Sequence, residues 1–215
     1  MSTTEPDWAD LAEKRLLEAA IPLAANLGWN AGLLARAGEA AGLSPGETDL
    51  LAPNGARDLA ALFSRRHDAA ALAALGAFDA PALKIRERIR VAVEAWLDAA
   101  DADSDATKRW AAFLALPANA ALGLRLGWES ADGLWRWAGD TATDENHYSK
   151  RVILGAILLT ALGVRLGSGR AAASDYLGHR IENVMQFEAF KAKIKTGGIA
   201  ETLAAGLGRL RYGRG

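Results

Sequence analysis

The chain contains no cysteine, which excludes disulfides, zinc thiolate sites and a cysteine nucleophile. Histidine occurs only at His67, His147 and His179, too few for a histidine-rich metal site. A surplus of basic charge is also missing. Lys and Arg number 25 against 26 Asp and Glu, for a formal net charge of -1 at pH 7, so the chain as a whole exerts no long-range pull on nucleic acid. No glycine-rich nucleotide loop is found, because Gly167-Ser168-Gly169 has neither the phosphate-binding spacing nor a preceding strand. The opening residues, Met1 to Asp7, are polar and acidic, unlike a secretory or organelle-targeting leader. The longest strongly apolar segment, Val152 to Leu166, reads as too short and too interrupted by Arg165 to span about 30 Å of hydrocarbon. A soluble cytoplasmic protein is the starting expectation.

What is present points to helices. Half of the 215 residues (51%) are apolar, enough for a sizeable core. Alanine and glycine dominate, and alanine loses no side-chain entropy in a helix, whereas the scarce β-branched residues favour strands. The fold class expected is all-α. Apolar spacing predicts a first helix over Trp8 to Leu27, bent at Pro22. A second, capped by Asn30, covers Ala31 to Ala41, and Gly42 stops it. Ser44-Pro45-Gly46-Glu47 is a capping box that opens a third, ending near Leu51. A fourth begins at Asn54 or Gly55 and runs to about Leu75.

The first three helices have helix-turn-helix spacing, but their charge is wrong for DNA. Residues 1–60 carry four bases against nine acids, a net -5, and the third helix offers Glu47 and Asp49 where a reading helix needs basic and amide groups. The unit is expected to be a packing module, with no nucleic acid as partner.

A fifth helix is expected from Ala80-Pro81 to about Ala99. The acids of Asp101-Ala102-Asp103-Ser104-Asp105 have the alternation of a calcium loop, but its glycine and distal glutamate are missing. They are expected to be helix caps. A sixth helix covers Ala106 to Leu116 and a seventh runs from Pro117 to about Ala138. An eighth runs from Glu145, capped by Asp144, to Leu166, and a ninth, capped by Ser174, to about Lys195. The eighth is apolar on nearly every side, so it must be enclosed or divide its surface between core, cavity and partner.

Beyond Gly197-Gly198, the residues Ile199, Leu203, Leu207 and Leu210 share one helical face. Arg209 and Arg211 lie at its end, and the chain from Lys191 onward carries six bases and one acid. Such a stripe suits an anionic membrane interface or intramolecular docking.

No catalytic constellation emerges, and neither metal nor cofactor is expected. Asp140, Asp144 and His147 lie close in sequence, yet helix termination and capping explain the two acids, and His147 reads as simply exposed. Trp128 and Trp135 are seven apart and share a face, while Trp137 points elsewhere. Indoles left outside the core are candidates for partner contact.

The stretch from Asp132 to Arg151 resembles the signature of the COQ9 family of ubiquinone biosynthesis proteins, through Asp132, Trp135, Ala138-Gly139-Asp140, Asp144, Asn146, Tyr148 and Arg151. Leu50-Leu51-Ala52-Pro53-Asn54-Gly55 with Asp58-Leu59 is similar to the family as well. The resemblance implies a TetR-like helical bundle with an N-terminal helix-turn-helix and a C-terminal amphipathic helix. It divides the chain into a helix-turn-helix-like region (1–76), a lipid-binding and dimerisation region (80–196) and a membrane-contact helix (198–212).

Further implied are a non-enzymatic role, homodimerisation, and an isoprenoid quinone or phospholipid guest presented to the late-step hydroxylase of the pathway. Peripheral contact with the inner face of a bacterial cell membrane follows from the same likeness. On this reading Leu122, Leu126, Leu134, Ile153, Leu154, Ile157, Leu158 and Leu162 face the lipid. Asp144, His147, Tyr148 and Arg151 meet the hydroxylase; the histidine stands where the family has tryptophan. Ile199, Leu203, Leu207, Leu210, Arg209 and Arg211 meet the membrane. A ligand-responsive TetR-like regulator and a purely structural partner protein are the competing readings.

Overall fold

A computed structural model describes residues 7–141 and 145–195, leaving aside the side chains of residues 145–146 and 184–195. The chain is all-α, with no strand among the described residues. Helices α1 (Trp8–Leu27), α2 (Ala31–Ala40) and α3 (Pro45–Leu51) pack on one another at the N-terminal end. Pro22 is carried inside α1, which continues to Leu27.

The local signals for α2 and α3 act as their chemistry requires. Asn30 Oδ1 accepts from the Leu33 amide at 3.0 Å, and the Ser44–Glu47 box is reciprocal, with Glu47 accepting from the Ser44 amide at 2.8 Å. Between the two helices the backbone turns at Gly42, whose φ of 70° favours glycine. The pair then packs so closely that a Cβ at Gly38 would lie 2.4 Å from Thr48 Oγ1.

Helix α4 (Ala56–Leu75) packs on α1 and α2 and also on α5 (Ile85–Asp101) and α7 (Ala120–Trp137), so the N-terminal helices share one core with the rest. Aromatic rings fill that junction: Phe63 and His67 of α4 lie against Trp110 of α6 (Ser104–Leu114), with Trp29 beside Phe63 at 4.8 Å. Trp29 and Trp110 donate their indole N–H to the carbonyls of Ala106 and Ala60.

Three boundaries differ from expectation. Ala80–Ala82 is a single 3-10 turn, and extended backbone at Leu83 delays α5 to Ile85. Pro117–Asn119 is likewise a short 3-10 turn before α7. The expected eighth and ninth helices form one element, α8 (Glu145–Lys195), interrupted at Gly169, where φ is 85° and ψ is -177°. Ser174 therefore lies within a helical arm instead of capping one. Asp101, Asp103 and Asp105 also do something other than cap. Asp103 makes no side-chain cap bond and instead pairs with Arg66, Asp105 pairs with Lys108, and Asp101 receives Arg165 from α8.

By length and composition the helix from His147 to Asn183 suffices to cross a membrane, contrary to the expectation from its apolar run. In the fold one face of it joins the core, while Val152 and Leu159 are exposed. Leu154, Leu158, Ala161 and Leu162 are buried, and Arg165, itself buried, bonds Asp98 at 2.7 Å and Asp101 at 2.9 Å on α5.

Candidate functional site

The first arm of α8 lies against α7 through small residues. A Cβ at Gly155 would approach the Gly127 carbonyl oxygen to 3.3 Å, so the two backbones nearly touch. Where α7 ends, Gly139 turns the chain with a φ of 88°. The amides of Gly139 and Asp140 bond back to the carbonyls of Arg136 and Trp135, both at 3.0 Å. This turn aims the Asp140 carboxylate at the start of α8.

There it meets a buried ion cluster. The Arg151 side chain is only 2% exposed and that of Asp140 only 4%. Arg151 donates to Asp132 at 2.5 Å and to Asp140 at 2.9 Å. Lys150 approaches the other Asp140 oxygen at 2.6 Å. Burial alone pushes the Asp140 pKa up, but the hydrogen bonds and charges of Lys150 and Arg151 outweigh it and hold the carboxyl below its ordinary range. Burial likewise pulls Arg151 down, and its bonds to Asp132 and Asp140 reverse that. Trp135 joins the cluster by donating its indole N–H to the Lys150 carbonyl at 3.1 Å, while the Lys150 ammonium sits 5.3 Å from the ring centre.

Asp132, Trp135, the Ala-Gly-Asp turn and Arg151 are thus parts of one lock between α7 and α8. Arg151 is too deeply buried to be a partner contact and is reassigned to this lock. Asp140 is committed to two cations, Lys150 and Arg151.

Beside the lock opens a cavity of about 480 Å³, within the range of small-molecule sites. Ile85 and Ile89 of α5, Trp135 of α7, and Ile153, Leu154 and Ile157 of α8 supply apolar wall. Ile181, beyond Gly169, lines it too. In a straight helix Ile181 would lie about 42 Å from Ile153, at roughly 1.5 Å per residue. The break at Gly169 therefore folds the second arm back to close the cavity. Arg86, Arg88 and Lys150 stand among the lining residues.

Of the residues expected to face a lipid, Ile153, Leu154 and Ile157 do line this cavity. Leu126, Leu134, Leu158 and Leu162 are core residues, each 2% exposed or less, and Leu122 packs against the core; none of the five lines it. Sequence reasoning missed Ile85, Ile89, Ile181 and the two arginines. Ile85 and Ile89 are plainly apolar in the sequence, but what they face is set by packing.

On the outer side, His147 and Tyr148 group with Trp128 of α7, ring centres 5.3–6.2 Å apart. Tyr148 is 63% exposed and Val152, one turn on, 62%. Asp144 and the tail residues Ile199, Leu203, Leu207, Leu210, Arg209 and Arg211 lie outside the described residues.

A helical protein with a locked α7–α8 pair and an apolar cavity beside it is what these features define, and residues 120–188, the lock included, match the COQ9 family model. The resemblance read from the sequence holds along the chain as well. It is 27% identical over 206 residues to the rat protein named "Ubiquinone biosynthesis protein COQ9, mitochondrial", covering 91% of this chain and 65% of that one. The human protein of the same name is 26% identical over 206 residues, covering 91% and 64%. Its bovine counterpart is 27% identical over 206 residues, covering 91% and 63%. The chain thus spans slightly less than two thirds of the length of these relatives.

Proposed function

We propose that this protein is a non-catalytic, lipid-binding accessory protein of ubiquinone biosynthesis, which holds a polyprenylated quinone precursor and presents it to the late-step hydroxylase. The observation that carries this reading is the cavity of about 480 Å³ walled by Ile85, Ile89, Ile153, Leu154 and Ile157. A polyprenyl tail resists leaving the bilayer, since each methylene exposed to water costs about 0.8 kcal/mol. Apolar walls replace the lipid around part of that tail while the head stays near the opening. The names of the similar mammalian proteins supply the pathway.

Two surfaces complete the reading. Trp128, His147, Tyr148 and Val152 form an aromatic and aliphatic patch that suits hydroxylase docking, because exposed aromatic clusters carry much of the energy of protein interfaces. The stripe of Ile199, Leu203, Leu207 and Leu210 with Arg209 and Arg211 suits contact with an anionic membrane, on the inner face of a bacterial cell membrane. Homodimerisation enters this proposal through the family resemblance.

Native mass spectrometry and lipid extraction of the purified protein test the cavity's role. The expected result is retained lipid, and binding of a short-chain quinone analogue that weakens about tenfold or more in Ile153→Trp, with unchanged circular dichroism. Wild-type protein that carries no lipid and binds no analogue overturns the reading.

A further inference from the structure

A second groove, of about 610 Å³, lies in the N-terminal unit between α2, α3 and the turn into α4. Leu34, Leu43 and Ala52 form a buried apolar floor, and the Thr48 hydroxyl beside them donates to the Ser44 carbonyl at 3.0 Å. The charged lining is Glu39 and Asp49, with no base. Both are exposed, and among the described residues neither carboxylate has an ion pair or hydrogen bond. A helix with an apolar stripe for the floor and Lys or Arg for the rim fits such a groove. The C-terminal segment has that pattern. Ile199, Leu203, Leu207 and Leu210 share one face, with Arg209, Arg211 and Arg214 at the end. From Lys191 onward the net charge is +5, against -5 over residues 1–60.

The segment cannot reach its own groove as a helix. Arg66 pairs with Asp103 and Trp96 donates to Asp68, so α4 and α5 run antiparallel. The groove, which adjoins the start of α4 at Gly55, therefore lies toward the Asp101 end of α5. The second arm of α8 starts at that same end, where Arg170 bonds Asp98, and passes Ile85 at the other end by Ile181. From Arg170 to Lys195 it carries the chain about 38 Å away, at roughly 1.5 Å per residue. The four steps to Ile199 return at most about 14 Å, and a helix to Leu210 about 17 Å more. The sum falls short of the start of the arm.

We infer that the groove receives residues 199–214 of a second copy of this chain, the leucine stripe on its floor and the arginines beside Glu39 and Asp49. The contact uses no residue of the cavity beside the lock and is independent of the lipid reading. It covers the same stripe that the proposed membrane contact needs, so copies joined in this way withhold their tails from the membrane. Its rim is solvated, and the attraction there weakens as salt screens it.

The absence of cysteine allows a direct test with full-length chains. Ala35→Cys puts a thiol on the exposed wall of the groove, and Gly206→Cys puts one beside the stripe, three residues after Leu203. The two variants, one of them carrying an affinity tag, are mixed and mildly oxidised. A disulfide between copies is expected at a yield about tenfold or more above that obtained when Leu124→Cys, at a position 70% exposed on α7, replaces Ala35→Cys. Adding Glu39→Lys and Asp49→Lys to the Ala35→Cys copy should lower the yield about tenfold or more, with unchanged circular dichroism, and added salt should lower it too.

Equal yields at the groove and on α7, or a yield indifferent to the charge reversals, overturn the assignment. So does a chain with both Ala35→Cys and Gly206→Cys that closes its disulfide within one copy at high dilution. None of these outcomes touches lipid retention, so this contact and the lipid reading stand or fall separately.

Discussion

Arg151 illustrates how one side chain joins two elements. Its guanidinium is buried 2.5 Å from Asp132 and 2.9 Å from Asp140, and Asp140 also holds Lys150. Such a cluster is stable only when complete, because removing one partner strands charges away from water. Arg151→Met should therefore destabilise the fold by about 3–5 kcal/mol, read as a lower urea midpoint with an unchanged slope. A loss below about 1 kcal/mol would mean that the cluster behaves like a solvated surface pair. The sequence marked Arg151 only through the resemblance, as a hydroxylase contact. Its burial was illegible there, since exposed and buried arginines are written alike.

At the scale of elements, the break in α8 shapes the cavity. Gly169 has φ 85° and ψ -177°, a region open essentially to glycine alone. No neighbouring atom lies within 4 Å of a Cβ built there, so a substitution meets backbone strain without a clash. Gly169→Ala should cost about 1–3 kcal/mol in thermal or chemical unfolding. It should also weaken quinone-analogue binding, because Ile181 reaches the cavity only through this turn. Full stability together with full binding would show the turn to be dispensable. The sequence showed glycines near this point but placed the helix start at Ser174. Ser174 has the right chemistry for a cap, but the chain had already resumed helical geometry.

Across the whole molecule, the junction between the N-terminal helices and the rest contains a buried imidazole. His67 is 1% exposed, lies against Phe63 and Trp110, and has no hydrogen-bond partner on either ring nitrogen. Burial pushes its pKa from 6.5 to about 4, with Arg66 adding to the effect and Asp103 opposing it. The unfolded chain therefore takes up a proton near pH 6.5 that the folded chain refuses until about 4. The stability linked to this group is complete above the unfolded value and falls as pH drops through that window, by about 3 kcal/mol in all. Unfolding free energies at pH 7 and pH 4.5 should differ less in His67→Phe than in the wild type, by about 2–3 kcal/mol. Equal pH dependence in both would remove His67 as the cause.

Local chemistry settled much of this protein in advance. Alanine-rich amphipathic spacing made it helical, and Asn30, the Ser44–Glu47 box and Gly42 set the N-terminal helices because caps and turns depend on neighbours a few residues away. Tertiary packing decided which apolar residues became core and which became wall. Leu158 and Ile157 are adjacent and alike in sequence, but only Ile157 lines the cavity. Their difference arises from which helix lies opposite and from the reversal at Gly169, which brings together residues distant along the chain. For the same reason Arg86 and Arg88 meet α8 at one opening, a juxtaposition that no local pattern encodes.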